Sequence, residues 1–320
     1  MFNKTISLTS VFLKETIQNL KIFKKAKKNS YNTIIIIVAI AVAFISYRII
    51  DFFNSNNISG MFLILYFQIF NIFLAMQIIL YSTNILFFSK NLEYILPLPI
   101  SSKEIVVAKY LTIVMMTYIT ELIFTFLPML IYGLITHVSL LYFLIMPVVL
   151  LIFPLFFVTI ISTFTIIFMK LFKIIKNKNL YQMIIVSLLM VIVLEIEMFN
   201  VKEFINNIDK IEFGNENQNS VEIQNNDNYF EILETSTKNF LVINPTLEML
   251  YRPNKTKDIM INFTKLIIYN VLAFIPFLSV GRKIYLKNVL LQRSIVVGKN
   301  KKTKEIKINR KKSIMRCVYF

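Results

Sequence analysis

The chain has 320 residues, 56% of them hydrophobic and 14% aromatic, with five glycines, one cysteine, one histidine and a formal net charge of +17. So apolar a composition points to an all-α polytopic membrane protein rather than an ordinary globular domain. The lone Cys317 excludes an internal disulfide and a cysteine metal cluster, the lone His137 excludes a two-histidine zinc site, and the few glycines leave little from which to build a phosphate loop.

Residues 1–32 form a basic segment with seven Lys and one Glu. Within it Phe12, Leu13, Ile17, Leu20 and Phe23 share one helical face, which predicts an amphipathic helix lying at the membrane interface. The apolar run that follows contains an A-x-A pattern at Ala41 and Ala43. The pattern lies inside the run rather than after it, so the run reads as an uncleaved first span.

Six segments are long and apolar enough to cross a bilayer, near Thr33–Ile50, Gly60–Tyr81, Tyr110–Ile135, Leu140–Met169, Leu180–Leu194 and Ile259–Val280. Arg48 ends the first, where its side chain can snorkel. The fourth is overlong, and Pro147 and Pro154 are expected to kink it. The connections alternate in charge. Residues 1–32, 82–109, 170–179 and 281–320 are net positive, the last with thirteen bases and one acid, whereas 195–258 has twelve acids and six bases. This positive-inside pattern predicts both termini in the cytoplasm and the 195–258 loop outside, at the plasma membrane. The positive charge then meets anionic lipid. The basic tail lacks the interleaved aromatics of a stacking platform for nucleic acid.

The chain thus divides into a basic amphipathic helix (1–32), spans one to five (33–194) with an inserted segment at 82–109, an acidic loop (195–258), the sixth span (259–280) and a basic tail (281–320). The loop is expected to be a small, partly helical cap with a flexible centre near "GNENQNSVEIQNNDN".

Residues 91–110, at the end of the 82–109 segment and the start of the third span, read "NLEYILPLPISSKEIVVAKY". Pro97 and Pro99 cannot continue a helix, and they push Leu96 and Leu98 towards extended geometry. "SSKE" is a capping box: Ser101 caps the N–H of Glu104, and Glu104 reaches back to the N–H of Ser101. The helix starting at Ser102 can run, bent at Pro128, to Ile135, about 51 Å at 1.5 Å per residue and well beyond the 30 Å apolar core. It should project into the cytoplasm. Tyr94, Ile95, Leu96, Leu98 and Ile100 make the turn apolar, which fits either a docking surface or a dip into lipid.

An acidic residue, then "LPLPIS", a charged pair, an apolar stretch and a Lys, resembles the cytoplasmic segment of bacterial ABC type-2 exporter permeases, where it also lies between the second and third spans. The matching residues are Glu93, Leu96, Pro97, Pro99, Ser101, Lys103, Glu104 and Lys109. The resemblance implies that they contribute to docking a separate ABC ATPase subunit, which binds the ATP. The permease itself carries no cofactor and no enzymatic activity, and it works with a second permease half or a homodimer partner. Consistent with this, no G-x-x-x-x-G-K-[ST] occurs in the chain. The likeness is greatest to the large permeases of low-GC Gram-positive bacteria, which continue into further spans. The ending "KKSIMRCVYF" looks like the start of another interfacial helix and suggests a truncated first half.

Glu121 falls in the middle of the third span. A lone ionisable group there is costly and must face protein or water. It either lines a translocation path or hydrogen-bonds to Gln68, Asn71 or Gln77 of the second span. Lys265 is placed to snorkel at the outer end of the sixth span, and His137 reads as a solvated turn residue. Two other functions compete: a membrane sensor or immunity protein using the outer loop, and an intramembrane enzyme. The enzyme needs paired carboxylates or a histidine constellation, and the spans offer only one Glu.

Overall fold

The computed structural model describes residues 2–19, 28–56, 59–88, 100–171, 183–184, 186–191, 195 and 241–281. Among these the chain is all helical, with no strand. In chain order the elements are α1 (Phe2–Asn19), α2 (Lys28–Ser55), α3 (Ser59–Phe88), α4 (Ser102–Glu121), a π-helical turn (Leu122–Phe126), α5 (Leu127–Ile135), α6 (Leu140–Leu171), α7 (Ile243–Tyr251) and α8 (Thr256–Val280).

Five helical stretches among the described residues are long and apolar enough to cross a membrane: Thr33–Ser55, Ser59–Leu86, Lys103–Ile135, Leu140–Phe168 and Thr256–Val280. They correspond to the first four expected spans and the sixth. Of the expected span at Leu180–Leu194, residues 183–184 and 186–191 are described and helical, and the rest lies outside the described residues. In the acidic loop the described part includes one short helix, α7.

The core forms where α3, α4 and α6 meet. Apolar residues on one face of each are fully buried, among them Phe67 and Ile78 of α3, Ile113 of α4 and Phe153 of α6. Polar pairs tie the three together: Ser82 to Ser162 at 3.2 Å and Tyr110 to Thr159 at 2.9 Å. Helix α2 packs against α3 and α5, yet Ile36, Ile37, Ile40 and Phe44 remain exposed. Such side chains suit a lipid-facing surface. Helix α8 packs on α6 and α7. At its start Asn262 donates to the Glu248 carboxylate of α7 at 2.6 Å, and Lys265 donates to Asn262 at 3.1 Å, so Lys265 is held in a polar chain rather than merely snorkelling.

Two local expectations change. Helix α1 turns Thr5, Leu8, Thr9 and Phe12 inwards, and Leu13 and Ile17 are only partly buried. The reason is that α1 packs along α4 instead of resting on lipid alone. The bend expected at Pro128 takes the form of the π-helical turn just before it. Pro128 has no N–H for the carbonyl of Phe124, and a widened turn absorbs the mismatch without breaking the helix. Pro147 and Pro154 both lie inside the continuous helix α6.

Candidate functional site

At the start of α4 the capping box is present in full. Ser101 Oγ accepts the backbone N–H of Glu104 at 3.4 Å, and Glu104 Oε2 accepts both the Ser101 N–H at 2.8 Å and the Ser101 hydroxyl at 2.9 Å. Glu104 is therefore buried and committed to the cap, whereas Ser101 and Lys103 are exposed. Glu93, Leu96, Pro97 and Pro99 of the expected docking surface lie outside the described residues.

Lys109 departs from that surface. Its side chain is fully buried, and Nζ donates to the carbonyl oxygens of Ile85 at 2.7 Å and Leu86 at 3.2 Å. These belong to the last turn of α3, where carbonyls have no intrahelical N–H to accept. A cation there satisfies orphan acceptors and complements the helix dipole. Nζ also sits 5.4 Å from the ring centroid of Phe12, and Thr9 Oγ1 lies 3.4 Å from the Ala108 carbonyl. Lys109 thus joins α1, α3 and α4 from the inside. It cannot also be an exposed docking contact.

A second set of polar groups lies deeper. Helix α3 runs antiparallel to α4 and α5 in a register fixed by several pairs. Lys109 meets Ile85 and Leu86, Gln77 Nε2 donates to Thr120 Oγ1, Phe124 meets Phe73 at 5.1 Å, and Tyr132 stacks on Phe62 at 5.7 Å. In that register Glu121 lies near the depth of Ala75, Thr125 near Asn71, and Pro128 near Gln68. Glu121, Thr125, Gln68 and Asn71 are all buried. Both carboxylate oxygens of Glu121, the Thr125 hydroxyl and Gln68 Nε2 have no hydrogen-bond partner. The expected bond from Glu121 to Gln68, Asn71 or Gln77 is therefore not made, and Gln77 pairs with the neighbouring Thr120 instead.

Thr120 and Thr125 are the participants that sequence reasoning missed. The recurrence of Thr every few residues around Glu121 was the available signal. His137 sits exposed in the α5–α6 turn at a φ of 50°, the left-handed region. Among the described residues no group of His, Cys, Asp or Glu could hold a metal ion.

Bundled apolar helices with a polar seam define an all-α polytopic membrane protein. A family profile described as "Putative ATP-binding cassette" matches residues 25–307, and the chain belongs to that family. No curated protein and no solved structure matches it.

Proposed function

We propose that the chain is the membrane-spanning permease subunit of an ATP-driven exporter, working with a separate ATPase subunit. The observation that carries this reading is membership of an ATP-binding cassette family by a chain whose sequence holds no P-loop. Nucleotide binding then falls to a partner, and this chain does no covalent chemistry of its own.

The partner docks at the end of the bundle where α3 closes and α4 begins. The excess of basic residues in the segments on that side supports a cytoplasmic orientation at the plasma membrane. Glu93, Leu96, Pro97, Pro99, Ser101 and Lys103 form the contact. Glu104 and Lys109 act behind it, one by starting α4 and the other by fixing that start to α1 and α3. Export proceeds by alternating opening of a path between this chain and a second permease half or copy. The polar track of Gln68, Asn71, Gln77 and Glu121 lines that path.

The test is affinity purification from detergent-solubilised membranes, comparing wild type with Glu93→Lys/Lys103→Glu. These two positions avoid the buried cap. An ABC ATPase that accompanies the wild type and is lost from the double variant, at equal membrane level, supports the reading. Absence of any ATPase from both preparations contradicts it.

A further inference from the structure

We propose that Glu121 and Thr125 form the core of a binding site for a compact monovalent cation, either an alkali ion or the ammonium head of a cargo molecule. The proposal rests on the polar track taken above as the path, and it names what sits there.

Three observations converge. The first is depth. Glu121 and Thr125 precede the end of α5 at Ile135 by about 21 and 15 Å at 1.5 Å per residue, which places them near the middle of a 30 Å apolar layer. The second is an excess of oxygen. Both Glu121 oxygens and Thr125 Oγ1 are buried and accept no hydrogen bond. No nearby cation on the same helix neutralises Glu121: Lys109 is about 18 Å along it and already holds the Ile85 and Leu86 carbonyls.

The third observation is that the regular backbone ladder is broken directly beside Glu121. The π-helical turn Leu122–Phe126 begins directly after Glu121 and contains Thr125. Irregular backbone at membrane depth is tolerated where it is buried in protein or lines a polar cavity, π turns are frequent at functional sites, and unwound segments of transporter helices coordinate cations. A carboxylate and a hydroxyl are hard oxygen donors suited to such an ion.

The test uses the full chain in lipid nanodiscs with two tracers, radiolabelled sodium and radiolabelled methylammonium. Ionic strength is held with N-methylglucamine chloride. The expected result is saturable binding of at least one tracer, weakened at least about tenfold by Glu121→Gln and also reduced by Thr125→Val. Size-exclusion profile and circular dichroism confirm that each variant is folded. Tighter sodium binding identifies an alkali-ion site, and tighter methylammonium binding identifies a site for a cargo ammonium. Failure of both tracers to saturate wild type, or undiminished binding by folded Glu121→Gln, overturns the proposal. Binding without a co-purifying ATPase would sink the exporter reading and leave the site standing. An ATPase partner without tracer binding would do the reverse.

Discussion

The ammonium of Lys109 lies 5.4 Å from the ring centroid of Phe12, and the same ammonium donates to two carbonyls in the last turn of α3. One side chain thereby ties the amphipathic helix to the two spans that flank the proposed docking segment. Lys109→Met keeps the bulk and removes the donors. The expected loss is about 1.5–3 kcal/mol, the range for a charged hydrogen bond, read as a lower midpoint of thermal unfolding in detergent. Limited proteolysis should also cut more readily within α1. An unchanged midpoint and an equally protected α1 would mean that Lys109 does not hold the three helices together.

The Ser101–Glu104 capping box fixes where α4 begins. Ser101→Ala and Glu104→Ala should each cost about 1 kcal/mol, and the double variant should cost less than the sum, because both singles break the same reciprocal pair. Glu104→Gln retains an acceptor and should lose less. Full additivity in thermal unfolding would show that the two side chains act independently.

Glu121 gives a prediction of opposite sign. Its carboxylate is buried without a partner, so Glu121→Leu should leave stability equal to wild type or raise it, by up to about 1–3 kcal/mol. The same variant should lose export. A clear drop in stability would mean that Glu121 serves packing, and normal export by a stable Glu121→Leu protein would remove it from the path.

At the other end of the bundle, Gly133 allows the turn between α5 and α6 to close. A Cβ there would lie 2.8 Å from Tyr142 Cε1 and 2.9 Å from Phe143 Cζ, and Tyr142 is fully buried with its hydroxyl donating to the Met129 carbonyl at 3.0 Å. Gly133→Leu should cost about 1–3 kcal/mol or more through overpacking, with reduced protein in the membrane. Wild-type abundance and melting behaviour would contradict the close contact.

Features encoded by short-range chemistry were legible in the sequence. The capping box needs only Ser101 and Glu104 three residues apart, and both of its bonds are present. The long helix from Ser102 to Ile135 followed from the cap at Ser101 and a mostly apolar run bent at Pro128, and it forms apart from one π turn. Burial of Glu121 followed from its surroundings. Features that depend on a distant partner were not legible. Lys109 reads as a charge at the edge of a span, and its inward path is set by Phe12 and Ile85, neither of them a sequence neighbour. The buried face of α1 likewise depends on α4, which selects Thr5, Thr9 and Phe12 over Leu13. Gln77 pairs with Thr120 rather than Glu121 because a one-residue difference in helical phase, about 100°, decides which side chain faces α3.

The most direct test of the exporter account is photo-crosslinking from the start of α4 in native membranes. A photoreactive amino acid replaces exposed Lys103, with the same group at Lys265 as the control at the far end of the bundle. The expected result is an adduct with an ABC ATPase from position 103 and none from position 265. Crosslinks from position 103 to lipid alone, in membranes that contain the chain at normal level, would contradict the claim that this end of the bundle receives an ATPase.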